Sequence, residues 1–126
     1  MIVLDTSVLI DSLTGPRRSE PQLRAAIERG ERMGVPSLVL YEWFRGPRAP
    51  IELSTQESLF PAEEAIAFGP REAAIAADLY RRVTSPRSRA VGLAIAACAI
   101  AAGADLWTHN LEDFIDIPGL RLYSGR

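Results

Sequence analysis

An α/β fold, with a mainly parallel central sheet covered by helices, is predicted for this chain by three observations. Short apolar runs suited to buried strands alternate with longer helical patterns from end to end. The 126 residues are 48% hydrophobic, enough for a real core, and the length makes a single domain over 1–126 the default. The first apolar run, Ile2-Val3-Leu4, stops on an acid, Asp5, followed by two hydroxyl residues, Thr6 and Ser7. An acid there reads either as a helix N-cap or as a metal ligand at the carboxyl end of a first strand.

The elements follow in order. Residues 2–5 read as a strand and 6–13 as a helix carrying Val8, Leu9 and Leu13. Gly15-Pro16-Arg17-Arg18 is a loop. Residues 20–30 form a helix with Leu23, Ala26 and Ile27 inward and Gly30 as its stop. Val35-Pro36-Ser37 is a second strand, and Ser37 caps a helix over 38–45 that Gly46-Pro47 ends. Residues 47–60 carry no readable pattern, and 61–68 suit either a helical turn or an edge segment. Gly69-Pro70 starts a helix to about Val83, with Ala73, Ala76, Ala77, Tyr80 and Val83 on one face. Ser85 to Arg89 is a basic loop, and 91–102 is a helix striped by Val91, Ile95, Cys98 and Ala102. Asp105 to Thr108 is a strand, 110–115 a short helix, and 120–123 a last strand.

Composition excludes several classes. No run of 18 apolar residues exists, so no membrane span is expected, and the N-terminus lacks a secretory pattern. The lone Cys98 rules out an internal disulfide and fits a reducing cytoplasm. A net charge of −2 argues against strongly electrostatic nucleic-acid binding. All 14 basic residues are Arg, which excludes Lys-dependent chemistry such as P-loop nucleotide binding. Arg17, Arg18, Arg45, Arg48, Arg87 and Arg89 lie in or beside loops and are candidates for phosphate contact, against a simpler reading as solvated surface.

Ligands of open parallel sheets sit beyond the carboxyl ends of the strands. Asp5 lies at such an end, as does the Thr108-His109-Asn110 group, and Glu42 lies in the helix after the second strand. Asp5, Glu42 and Asp113 are therefore expected to converge. Clustered carboxylates are costly to bury unless a divalent cation joins them. Oxygen ligands suit Mg²⁺ or Mn²⁺, and such an ion supports phosphodiester cleavage by activated water. Each residue also has a plainer reading: Asp5 as a cap, Glu42 as a solvated position, Asp113 as an acid favoured at a helix start. Thr6, Thr108 and Asn110 are candidates for orienting water or phosphate, although such residues also serve in turns. His109 reads as an exposed or loop-packing residue.

The stretches "IVLDTSVLID", "VPSLVLYEWFRG" and "AIAACAIAAGADLWTHNLEDF" resemble a PIN domain, specifically a VapC-type toxin of a type II toxin–antitoxin system. The resemblance covers nearly the whole chain in order. It implies a three-layer α/β/α, Rossmann-like fold, a Mg²⁺ or Mn²⁺ cofactor and endonucleolytic cleavage of RNA. It also implies a VapB-type antitoxin partner and a homodimer. Carried over, Asp5 matches the first family acid, Glu42 the second and Asp113 the fourth, with Thr108 and Asn110 as the polar positions nearby. The third acid is missing. Its position, three residues before Ile95-Ala96-Ala97, is Gly92.

Glycine inside a helix costs roughly 0.8–1.0 kcal/mol relative to Ala, whereas Asp near a helix N-terminus gains roughly 0.3–1 kcal/mol. Gly92 therefore removes a carboxylate without helping the helix, and metal binding and cleavage by this chain are expected to be weak. Two histories fit: a diverged member, or an inactivated copy of an active toxin, one base away from Asp. The intact remaining motifs favour the second, and the source genome decides between them. Two other enzyme classes fit poorly. A haloacid-dehalogenase-type phosphatase wants an Asp where Ser7 stands, and a response-regulator receiver wants an acidic pair and a Lys. The non-enzymatic alternative is a module that binds antitoxin or RNA without cutting.

Overall fold

The computed structural model describes residues 1–125. Among them are four strands, β1 (Ile2–Leu4), β2 (Met33–Gly34), β3 (Asp105–Trp107) and β4 (Arg121–Leu122). Seven α-helices accompany them: α1 (Thr6–Leu13), α2 (Glu20–Glu28), α3 (Ser37–Arg45), α4 (Pro50–Leu59), α5 (Pro70–Arg82), α6 (Ala90–Ala101) and α7 (Leu111–Phe114). The strands form one all-parallel sheet in the order β2-β1-β3-β4, flanked by the helices. Val3 pairs with Gly34 on one side and Leu106 on the other, so β1 is central and all three of its residues are buried. Strands covered on both faces read as unbroken apolar runs, which is why "IVL" shows no alternation. The chain passes from β1 to β2 and then crosses back over β1 to β3, so the strand order reverses between β1 and β3.

Several local expectations are corrected. The second strand is Met33–Gly34, two residues early, and Pro36 only forms an isolated bridge to Ile66. Proline lacks the N–H that a ladder needs. Pro36 is also the N-cap residue of α3, so Ser37 starts the helix and caps nothing with its side chain. The unreadable stretch is the helix α4, entered through Pro50, with Glu52 accepting a hydrogen bond from the Ala49 N–H. Residues 61–68 satisfy both alternatives: Ala62–Glu64 is a 3₁₀ turn, and Ile66 pairs at the sheet margin.

The inward face of α5 is Ile75, Ala76 and Leu79, continued by Val83 just past its end, while Ala73, Ala77 and Tyr80 face out. Alanine satisfies any phase of the helical period, so the bulkier Ile75 and Leu79 decide it. Ile27 on α2 is likewise exposed. A 3₁₀ turn, Pro86–Arg89, replaces the basic loop and runs directly into α6. In α6 the expected stripe fails at both ends: Val91 and Ala102 are exposed, whereas Leu93 and the whole run Ile95–Ala99 are buried. Packed against α5, α3, β3 and α7, α6 is a core helix rather than an amphipathic one. Cys98 sits in this core, and burial, with Glu72 nearby, pushes its thiol up to about 11.

Candidate functional site

Asp5 occupies the N-cap position of α1, yet its side chain makes no cap bond. Its carboxylate turns to the loop after β3. Oδ2 accepts hydrogen bonds from Ser7 Oγ at 2.9 Å and Thr108 Oγ1 at 2.7 Å. Each hydroxyl is itself fixed by a backbone donor: the His109 N–H bonds Ser7 Oγ at 3.0 Å, and the Asn110 N–H bonds Thr108 Oγ1 at 2.9 Å. The backbone closes the join, since the Asp5 N–H donates to the Trp107 carbonyl at 2.9 Å. Asp5 is buried, and a carboxylate so placed must be held by donors. No described residue donates to its Oδ1.

Glu42 projects from α3, whose residues Val39, Leu40 and Trp43 enter the core. Glu42 stands beside that buried stripe and remains partly exposed. Its Oε1 accepts from Thr6 Oγ1 at 2.5 Å, and its Oε2 lies 3.4 Å from Arg45 Nη2. Thr6 thus links the second acid to the residue next to the first. Asp113, in the first turn of α7, is exposed, and no described residue donates to its carboxylate.

Asp5, Glu42, Asp113, Gly92, Thr6 and Asn110 line one cleft of about 680 Å³ at the carboxyl ends of β1 and β3. That is the place where the strand order reverses and where parallel sheets bind ligands. Thr108 lies behind Asp5, buried, and reaches the cleft through it. Among the described residues no three Asp, Glu, His or Cys side chains are grouped closely enough to hold a metal ion by themselves. At Gly92 a Cβ would meet the Phe114 ring at 3.6 and 3.8 Å, ordinary contact, so the position can carry a side chain.

Three arginines, Arg45, Arg87 and Arg89, share the cleft with the three acids. Arg45 is paired with Glu42, and Arg89 with Asp116. Of the other arginines beside loops, Arg48 lies over the Trp43 ring at 4.3 Å, and Arg17 lines a separate cavity of about 540 Å³ beside α2 and α4. His109 is exposed, with Nε2 2.7 Å from Ser19 Oγ, and makes no contact with the three acids. Ser7 is the residue whose role in holding Asp5 the sequence left unassigned. Its signal was a hydroxyl two residues after an acid at a helix start, a spacing that more often marks a local cap.

The PIN domain family model matches residues 2–120. The ribonuclease VapC19 of Mycobacterium tuberculosis is 32% identical over 123 residues, covering 96% of this chain and 98% of the relative. A DNA-bound VapBC from Salmonella typhimurium has a similar fold, with TM-score 0.79 and 23% identity, covering 97% of this chain and 96% of that one. A toxin–antitoxin complex from Klebsiella pneumoniae has TM-score 0.73 and 22% identity, covering 100% and 98%.

Proposed function

We propose that this chain, which belongs to the PIN domain family as a VapC-type member, is the ribonuclease toxin of a VapBC-type pair, with its own activity lowered by Gly92. The observation that carries this reading is the shared cleft: acids 37 and 71 positions apart in the chain, Asp5, Glu42 and Asp113, line one wall system at the strand ends. The donor set suits Mg²⁺ or Mn²⁺ in kind, since every candidate ligand is a carboxylate oxygen. It is short in number, and the space at Gly92 is where a further carboxylate would stand. Mg²⁺ is commonly held by one or two carboxylates with water completing its shell, so Asp5 and Asp113, aided by Glu42, remain able to hold it weakly.

When bound, such an ion polarises a phosphoryl oxygen and makes water a better nucleophile towards the phosphodiester. The chain's own part is orientation. Ser7 and Thr108 fix Asp5 Oδ2, leaving Oδ1 without a protein donor. Thr6 holds Glu42, and Asn110 stands beside Asp113 to orient water or phosphate. Arg87, which also lines the cleft, is the arginine available to meet a phosphate. A VapB-type antitoxin partner is supported by the toxin–antitoxin complexes of similar fold, and a homodimer and a cytoplasmic setting complete the reading. No helix among the described residues is long and apolar enough to cross a membrane.

The test is RNA cleavage with Mn²⁺ or Mg²⁺ by this chain, by Gly92→Asp and by Gly92→Asp combined with Asp5→Asn. Cleavage that is weak in the first, strong in the second and lost in the third is expected. No cleavage by Gly92→Asp under any divalent ion overturns the nuclease assignment. The second reading, a binding module that does not cut, is favoured by the missing carboxylate at Gly92. RNA and antitoxin binding that persist without cleavage in both the native chain and Gly92→Asp select it.

A further inference from the structure

Asp113 belongs to a helix of only four residues. One turn does not hold its own shape, because too few hydrogen bonds repay the ordering of the chain. With no donor on its carboxylate among the described residues, Asp113 must be placed through its backbone. Its N–H donates to the Asn110 carbonyl at 3.0 Å. Its carbonyl accepts from Arg89 Nη2 at 2.8 Å. The same Nη2 donates to Asp116 Oδ1 at 2.6 Å, and Nη1 donates to Asp116 Oδ2 at 3.0 Å and to the Thr84 carbonyl at 3.2 Å. Arg89 Nε is buried without a partner among the described residues, so these four bonds carry the fixation.

The arrangement is a two-pronged arginine–carboxylate pair with a side chain only 15% exposed on the arginine side. Arg89 is also the N-cap residue of α6, three positions before Gly92. One guanidinium therefore ties the beginning of the α5–α6 connection, the start of α6 and the turn that carries Asp113. A lysine has no planar fork to make these bonds.

We propose that the Arg89–Asp116 clamp positions Asp113 in the cleft, making Arg89 a positioning residue that acts through Asp113 and not a phosphate contact. The proposal rests on the reading of Asp113 as a metal ligand. It withdraws Arg89 from the arginines available to RNA, although Arg89 lines the cleft.

The experiment measures Mn²⁺ affinity by calorimetry, metal-free RNA affinity, and amide hydrogen exchange of residues 111–116. The chains are the native one, Arg89→Gln, Arg89→Lys, Asp116→Asn, Asp113→Asn and Arg89→Gln with Asp113→Asn, all repeated with Gly92→Asp. Arg89→Gln and Asp116→Asn are each expected to weaken Mn²⁺ binding roughly 10–100-fold, with Arg89→Lys recovering little. Exchange in 111–116 quickens, and metal-free RNA affinity stays as it was. Arg89→Gln adds no further loss once Asp113 is Asn, because a residue acting through another has nothing left to act on.

Additive Mn²⁺ losses in the double variant, unchanged exchange in 111–116, or a fall in metal-free RNA affinity each overturn the clamp. Should neither the native chain nor Gly92→Asp bind Mn²⁺, the proposed metal site falls, and exchange alone judges the clamp. Quickening confined to 111–116 then upholds its positioning of that turn, and unchanged exchange overturns it.

Discussion

At Gly92 two residue-level forces oppose each other. An Asp there gains from the helix N-terminus and loses the flexibility cost of glycine, together of order 1 kcal/mol. It also adds a fourth carboxylate to a cleft that already holds Asp5, Glu42 and Asp113. A divalent ion removes the second effect and leaves the first. Thermal melts with and without MnCl₂ should therefore show a larger Mn²⁺-induced rise in Tm for Gly92→Asp than for the native chain, and equal rises would contradict the metal reading. Asp116 gives a second residue-scale test. The hydrogen bond from Arg89 holds its carboxyl below the ordinary range, while Arg89 is held above its own by the same bond. A depressed folded value means stability that is present above the unfolded value, about 3.9, and lost as pH falls through the folded one. The other charged group facing this pair is Asp113, which favours the charged Arg89. Melts of Asp116→Asn should lie below those of the native chain at neutral pH, and the gap should close below about pH 4.

Among the elements, α6 and α5 separate sharply. Leu93 is 1% exposed in α6, and Tyr80 is 41% exposed in α5. Urea unfolding should show Leu93→Ala losing roughly 2–5 kcal/mol, while Tyr80→Ala stays within about 0.5 kcal/mol. Equal losses would mean that the α5 face is assigned backwards. At the start of α3, the extended Pro36 occupies the cap position and Ser37 makes no cap bond. Ser37→Ala is expected to change stability by less than about 0.5 kcal/mol, where a true cap loses about 1 kcal/mol. The reasons for these misreadings are physical. In "AVGLAIAACAIA" and "PREAAIAADLYRR", alanine fits inside or outside equally, so periodicity carries little phase information. Around Pro36 the extended backbone and the bridge to Ile66 depend on a segment thirty residues away.

On the scale of the molecule, the net charge of −2 and a cleft lined by three acids and three arginines predict modest RNA attraction. Arg45 and Arg89 are engaged by Glu42 and Asp116, which leaves Arg87 as the arginine of the cleft with no ion pair among the described residues. The logarithmic salt dependence of metal-free RNA binding should then lie near a slope of about −0.7, the single-contact value, and not near about −2, the value for all three. The alternating α/β order, the buried first strand and the placement of Asp5 and Thr108 at strand ends are legible along the chain alone. Those features depend on local period and on the general rule that parallel strands are covered on both faces. Through resemblance and not through any local property, the sequence also pointed to Gly92 as the position where an acid is expected. That Ser7 and Thr108 hold Asp5, that Thr6 holds Glu42 and that Arg89 is bound to the Asp113 turn emerge from the three-dimensional packing. Apart from the short Asp5–Ser7 link, these partners lie 24 to 103 residues apart. Which side chains meet over such distances is set by how helices pack on the sheet, and no pattern along the chain encodes it.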